Sequence, residues 1–195
     1  LLDLISEKSP KIIEDLVPNK LSVSTITQVL KNLLQEGITL RDNRSIIDNL
    51  LAESVKTKDA NQLTALIRPH LGRIIVQDII SVNEELPIIT LEQPLEQLLN
   101  NSIQNDSSTN DVFLEPKLIE SIVASVSIEK QNAEERGNPA VMVVSPKIRP
   151  WLSRILRQRL GNLSVLAYTE IPEDQEIRVI GRVGIQDEQQ NQVAA

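Results

Sequence analysis

The sequence predicts an α+β protein, in which an all-α helical subdomain is followed by a small α/β sandwich. Two observations lead to this prediction. Apolar residues recur at helical spacing through residues 21–82, whereas short β-branched runs alternate with amphipathic segments over residues 83–184. The second part has the element order β-α-α-β-α-β-β, which predicts helices packed on a short mixed four-stranded sheet.

Turn and cap residues give the bounds of these elements. Gly37 ends one helix of the first part, and Pro69 should bend or split another, because proline lacks an N–H and clashes with the preceding turn. Candidate helix caps are Ser22 or Ser24, Asp42 and Asp59. The predicted strands occupy residues 86–91, 139–144, 163–168 and 176–184.

The chain therefore divides into four predicted segments. A polar, turn-rich stretch at 104–111 should form a mobile surface loop, and the last residues have no apolar period. The chain begins at Leu1 within a helical pattern, without Met, so we expect it to be a piece of a longer protein. The segments are the end of a preceding subdomain (1–20), the helical subdomain (21–82), the compact α/β subdomain (83–184) and a disordered tail (185–195).

The segment "VMVVSPKIRPWLSRILRQRL" (141–160) predicts a strand running into a helix with a basic face. Ser145-Pro146 is a suitable helix start, although Pro150 allows a start one turn later. An apolar stripe of Ile148, Leu152, Ile155, Leu156 and Leu160 should face the sheet, which leaves Lys147, Arg154 and Arg157 on the solvent side. Two interpretations stay open: a surface helix neutralised by the acidic "EIPEDQE" (170–176), or a basic surface that meets partner proteins.

The composition argues against most catalytic chemistry. The chain has no cysteine and one histidine, His70, which excludes zinc sites of the usual types. No glycine-rich phosphate loop or Gly-x-Ser-x-Gly elbow is present. We therefore expect no enzymatic activity, no catalytic residue, no metal and no cofactor. No apolar run approaches the roughly 18–20 residues that a membrane-spanning helix needs.

Nucleic-acid binding is the alternative function. Residues 24–51 read as helix, glycine-containing turn and helix, with Arg41 and Arg44 at the start of the second helix. Asp42 would then lie against phosphates, and the net charge of -7 opposes binding to a polyanion. The three aromatic residues of the chain provide no platform for stacked bases.

Five blocks of sequence follow one another in a characteristic order along residues 1–184. The blocks are "LSVSTITQVLKNLLQEGITLRDNRSIIDNLL", "IRPHLGRIIVQ", "ELPIITLEQPLEQLL", "VMVVSPKIRPWLSRILRQRL" and "LSVLAYTEIPEDQEIRVIGRVG". With their spacing, they resemble the C-terminal cytoplasmic region of the FlhA family, the export-gate proteins of flagellar and other type III secretion systems. The third and fifth blocks favour the flagellar branch.

The resemblance implies a membrane-anchored export gate. Its transmembrane part would lie outside this chain. So would its second cytoplasmic subdomain and most of its first, which together form the main cleft for chaperone–substrate complexes. What remains would act at the cytoplasmic face of the bacterial inner membrane as a docking and ring-assembly platform. Expected partners are further copies in a nonameric ring, export chaperone–substrate complexes, the export ATPase complex and its stalk, and other membrane export-gate proteins, with no nucleic acid.

The resemblance also implies candidate contact residues. The helical subdomain is the family's ring-contact region, and its candidate contacts include Asp42. A second interpretation is that Asp42 caps a helix while the neighbouring arginines brace adjacent helices. In the α/β subdomain, Lys147, Arg154 and Arg157 become candidates for binding acidic partner surfaces. The candidate ring contacts are Arg41, Asp42, Arg44, Arg68, Gly72 and Arg73.

Overall fold

The structure, a computed structural model, describes residues 20–103, 114–161 and 163–184. Three predicted features therefore lie outside the described residues: the end of a preceding subdomain (all but Lys20), the surface loop at 104–111 and the tail. The chain forms two compact units. The first extends to Val82 and also includes Thr169–Glu173, and the second contains Asn83–Tyr168 and the residues from Asp174 onward.

The first unit is helical. Its buried interior is built from aliphatic side chains, among which Val29, Leu33, Leu50, Leu63 and Ile67 are fully buried. Its elements are α1 (Val23–Gln35), α2 (Asn43–Glu53), α3 (Ala60–Ile67), a 3-10 turn (Arg68–Leu71) and α4 (Gly72–Gln77).

The predicted caps are confirmed, with Ser22 rather than Ser24 at the start of α1. The helix ends at Gly37, whose φ of 76° is in the left-handed region. There the Ile38 N–H donates to the Leu33 carbonyl at 3.0 Å, which closes the helix in a Schellman motif. The capping bonds run from Thr25 N to Ser22 Oγ (3.1 Å), from Ser45 N to Asp42 Oδ1 (3.1 Å) and from Gln62 N to Asp59 Oδ1 (2.8 Å).

Pro69 splits the last predicted helix of this unit in two. The α-helical hydrogen bonds stop at Ile67, the 3-10 turn carries Pro69, and α4 resumes at Gly72. This break follows from the missing N–H of proline. It also places Arg68 at the start of the 3-10 turn between the two helices, where its side chain is buried.

The second unit has three helices and four strands within the described residues. Its sheet has the strand order β3-β2-β1-β4. The elements are β1 (Leu86–Leu91), α5 (Gln93–Ser102), α6 (Pro116–Glu135), β2 (Val141–Val144), α7 (Arg149–Leu160), β3 (Ser164–Ala167), a 3-10 turn (Tyr168–Glu170) and β4 (Ile177–Val183).

The α+β class is confirmed, but the expectation of a mixed sheet is wrong, because every strand pair is parallel. The connection from β3 to β4 is no hairpin. It contains a 3-10 turn, and its Thr169–Glu173 segment belongs to the first unit. The chain then returns to the opposite edge of the sheet, where β4 runs beside β1 in the same direction. The sequence pattern predicts two consecutive strands here, but it does not reveal that the segment between them belongs to the first unit.

One hydrophobic core joins the sheet to α5, α6 and α7 in the second unit. The predicted stripe of α7 is confirmed: Ile148, Leu152 and Leu156 are fully buried, and Ile155 and Leu160 pack against the same core half-buried. The helix itself begins at Arg149, with proline in its first turn, which is the later of the two predicted starts. In the part of the chain that the structure describes, no helix is both long and apolar enough to cross a membrane.

The buried face of α7 generates a stability prediction. Leu152→Ala should lower the free energy of unfolding by about 2–5 kcal/mol, because it leaves a cavity in a closed core. Leu160→Ala, on the same helix but half-buried, should cost clearly less. Urea denaturation followed by circular dichroism measures both. Equal losses would contradict the orientation of α7 described above.

Candidate functional site

The centre of the helical unit is a buried ionic cluster around Arg68. Its Nε donates to Glu170 Oε1 at 2.8 Å and its Nη2 to Glu170 Oε2 at 2.6 Å, so the guanidinium and the carboxylate form a bidentate pair. Its Nη1 also donates to Glu36 Oε2. Arg68 and Glu170 are each 2% exposed. Both charges are thus almost completely removed from water.

Electrostatics keep this arginine charged. Burial disfavours the charged guanidinium, but the hydrogen bonds and charge of Glu170 and the charge of Glu36 outweigh it and hold the pKa of Arg68 above its ordinary value. A buried pair of this kind adds little compared with well-packed apolar residues. Removing one partner is costly, because the remaining charge stays buried without compensation.

Gly72 allows the backbone at Glu170 to lie close to α4. A Cβ atom at this position would lie 2.0 Å from the backbone oxygen of Glu170, a distance that no side chain tolerates. The backbone of the Thr169–Glu173 segment therefore approaches α4 where only glycine fits. Arg68 and Gly72 together fix this segment within the helical unit.

The predicted ring-contact residues consequently separate into two groups. Arg68 and Gly72 are both buried inside the unit, so their contacts shape the protomer. Arg41, Arg44 and Arg73 are exposed. Direct contact with another subunit stays a prediction for these three exposed arginines.

Asp42 serves as the cap of α2, which was its second interpretation. Besides the capping bond, Ser45 Oγ donates to Asp42 Oδ2 at 2.6 Å. The side-chain and backbone hydrogen bonds of Ser45, assisted by the charge of Arg44, lower the pKa of Asp42. Arg44 pairs with Asp48 of its own helix at 3.8 Å, with exposed fractions of 76% and 55%, rather than bracing a neighbouring helix. Such a surface pair contributes little to stability.

The three basic candidates of the second unit have different environments. Lys147 is exposed, and its Nζ donates to the Asn100 carbonyl near the end of α5 at 2.8 Å. Arg154 is exposed on α7, as predicted. Arg157 is only half-exposed, and its Nη1 is buried without a hydrogen-bond partner. The solvent-facing basic surface of α7 is therefore smaller than the helical pattern predicts.

Sequence reasoning missed the partners of Arg68. Glu170 opens the acidic stretch that was expected to neutralise α7, yet it is buried against Arg68 instead. Glu36 ends α1 and has the pattern of an ordinary surface residue. The only available signal was an arginine beside a helix-breaking proline, which does not identify partners 32 and 102 residues away.

Metal chemistry finds no support at this site. Among residues 20–103, 114–161 and 163–184, no group of three or more His, Asp or Glu residues is arranged to hold a metal ion. His70 is half-exposed, with Nε2 3.7 Å from Glu53 Oε1.

The FHIPEP family model matches residues 1–176, and the chain belongs to the FHIPEP family. It is 37% identical over 184 residues to the flagellar biosynthesis protein FlhA of Salmonella typhimurium strain LT2, and 36% identical over 184 residues to that of Escherichia coli K12. In both comparisons 94% of this chain is aligned with 26% of the relative. The chain thus spans about a quarter of each relative. Both relatives are flagellar proteins, in agreement with the branch that the sequence blocks favour.

Solved structures share the fold. The nonameric EPEC SctV-C superposes with a TM-score of 0.80 at 24% identity, covering 93% of this chain and 54% of that one. CdsV of Chlamydia pneumoniae, in its complex with CdsO, gives a TM-score of 0.81 at 20% identity, with coverages of 93% and 52%. At these identities, the similarity establishes the common architecture of the two units.

The buried cluster generates a prediction about stability. Glu170→Gln should destabilise the chain by about 3 kcal/mol, toward the lower end for a broken buried pair, because Glu36 still faces Arg68. Glu173→Gln removes a charge from the same segment at an exposed position and should change stability by less than about 0.5 kcal/mol. Urea denaturation gives both values, and similar losses would show that the buried pair has no special role.

The cap of α2 generates a pH-dependent prediction. The folded-state pKa of Asp42 lies below that of the unfolded carboxyl, about 3.9. Its stabilisation is therefore fully present above that value and is lost as the pH falls through the folded-state pKa. Asp42→Asn retains a capping side chain without the charge, so its stability deficit at pH 7 should shrink by pH 3, as the pH falls toward the folded-state pKa. Asp42→Ala should cost about 1 kcal/mol at pH 7.

Urea denaturation at both pH values measures the difference between wild type and each variant. A deficit of Asp42→Asn that is unchanged at pH 3 would contradict a charge-assisted cap.

Proposed function

We propose that this chain is a docking and ring-assembly platform of a type III, flagellar-class protein export gate. The observation that carries the proposal is the FHIPEP match over residues 1–176. It acts through reversible protein contacts and without enzymatic activity. In this role, it holds and positions cargo while other components supply the energy for transport.

Ring assembly is assigned to the helical unit. Arg41, Arg44 and Arg73 are exposed, and in this proposal they meet carboxylates of a neighbouring copy. Arg68 contributes indirectly, because its buried pair fixes the segment on which the unit's shape depends. The nonameric state of EPEC SctV-C, which has the same fold, supports a ring as the form in which this chain works.

Partner docking is assigned to the second unit. Lys147, Arg154 and the exposed part of Arg157 form a basic surface on a chain whose net charge is -7. Such a surface attracts acidic partners and orients their approach more than it adds affinity. Export chaperone–substrate complexes, the export ATPase complex with its stalk and other export-gate proteins are the proposed partners. The complex of CdsV with CdsO supports a docking role for this fold.

The cytoplasmic face of the bacterial inner membrane is the proposed location. The chain would be tethered there by parts of the longer protein that this sequence does not include, since it spans about a quarter of its FlhA relatives. Cargo and chaperones arrive from the cytoplasm, so a docking surface below the gate meets them before entry.

The exposed arginines generate a prediction about assembly. Arg41→Glu and Arg73→Glu should each weaken self-association by at least about tenfold, since a reversed charge meets a like charge at the interface. Lys31→Glu, an equal charge reversal on the exposed side of α1, should leave self-association unchanged. Sedimentation velocity over a concentration series measures the association, and thermal melting reports folding.

Two outcomes would oppose the proposal. An unchanged oligomer distribution together with a lowered melting temperature would show that these arginines stabilise the protomer. Saturable, salt-sensitive binding of duplex DNA would favour the nucleic-acid alternative, since phosphate contacts release counterions.

A further inference from the structure

The strand β4 forms one edge of the sheet in the second unit. Within the described residues it has a neighbouring strand, β1, on one side only. An open edge presents backbone N–H and C=O groups that another extended segment can pair with. Proteins protect such edges with short strands, charges or bulges, so the exposed features of β4 decide whether this edge is closed or available.

The hydrogen-bonding pattern shows which backbone groups face outward. The Glu176 carbonyl accepts from Leu86 N at 2.8 Å, and the ladder pairs Leu86 with Ile177 and Ile88 with Val179. In a parallel ladder, the bonded residues of one strand alternate, so Arg178 continues the bonding toward β1. The amides and carbonyls of Ile177 and Val179 therefore point to the open side of the sheet.

The side chains of the same two residues are exposed. Ile177 is 49% and Val179 46% exposed, although both are β-branched apolar residues. They stand two residues apart and share one face of the strand. The register shift between Ile88 and Ile89 leaves one extra residue of β4, Ile180, between Val179 and Gly181. The ladder is therefore regular at Ile177 and Val179, and a bulge separates them from Arg182.

Arg182 extends this face. It pairs in register with Thr90, as Ile177 and Val179 pair with Leu86 and Ile88, and alternate residues of β1 share a face. Its side chain is exposed. Two apolar side chains followed by a cation thus line one face beside the open edge.

Arg178 does not close this edge. Its Nε pairs with Glu85 Oε2 at 2.7 Å, and its Nη2 lies 3.4 Å from Asn138 Oδ1. Arg178 pairs in register with Pro87, so its side chain lies on the opposite face of the strand from Ile177 and Val179. The charge of Arg178 is therefore paired with Glu85 on the other face of the strand, away from Ile177 and Val179.

We propose that the β4 edge at Ile177–Arg182 accepts an extended segment of a partner protein as a fifth strand. The segment carries two apolar residues, two positions apart, and an acidic residue two positions further on the same side. Its backbone pairs with the outward groups of Ile177 and Val179, and its carboxylate meets Arg182. This site lies outside the basic face of α7 and does not depend on ring assembly.

The test uses the 195-residue chain and fluorescein-labelled, capped heptapeptides. One peptide has the order Thr-Val-Thr-Val-Thr-Glu-Thr and a second has it reversed, because strands add in either direction. Matched peptides carry Lys in place of Glu. Fluorescence anisotropy should show one Glu peptide binding about tenfold more tightly than its Lys counterpart, as attraction is replaced by repulsion at Arg182.

Protein variants identify the surface. Arg182→Glu should invert the preference so that the Lys peptide binds more tightly, a rescue that no structural role of Arg182 produces. Val179→Pro removes one outward N–H without removing a bond to β1 and should weaken every peptide at least about tenfold. Arg159→Glu, an exposed charge reversal on α7, should leave all affinities unchanged.

The charge-swap variant keeps the test decisive if Val179→Pro fails to fold. Binding of no peptide, or equal binding of Glu and Lys peptides by wild type and Arg182→Glu, would overturn the proposal. So would self-association that is abolished by Val179→Pro but unaffected by Arg41→Glu, because a second copy would then occupy the edge.

Discussion

The buried guanidinium of Arg68 is the constraint on which the helical unit depends. An ion removed from water must find carboxylates close by, and Arg68 finds them at the end of α1 and in the connection between β3 and β4. The partners are 32 and 102 residues away along the chain, so the contact brings together parts that no local rule connects. Pro69 and Gly72 supply the backbone conditions: one breaks the helix, and the other leaves room for Glu170.

This contact has a consequence for the sheet. Glu170, the bidentate partner of Arg68, belongs to the connection between the last two strands, which is therefore no tight hairpin. A connection of this length lets β4 pair in parallel with β1, at the edge opposite β3. The open side of β4, with Ile177 and Val179 exposed, is thus a product of the route the chain takes after β3.

The exposure of the basic residues depends partly on local sequence pattern and partly on packing between distant segments. The helical pattern places Arg154 on the outside of α7 and Leu152 in the core, because period and burial agree there. The pattern does not reveal that Arg157 is half-buried, since that depends on the packing of neighbouring elements. Exposed arginines and buried arginines look alike in sequence, yet Arg41 is exposed and Arg68 is buried.

The sequence by itself determined the α+β class, the helix caps at Asp42 and Asp59, a cap of α1 at Ser22 or Ser24, a bend or break at Pro69 and the family. Each of these depends on side chains within a few residues, or on a pattern that spans the chain. Only the tertiary structure decided the parallel direction of β4, the burial of Arg68 against Glu170 and the need for glycine at position 72. These features arise from contacts between distant segments, whose desolvation and close approach cannot be read from local periodicity.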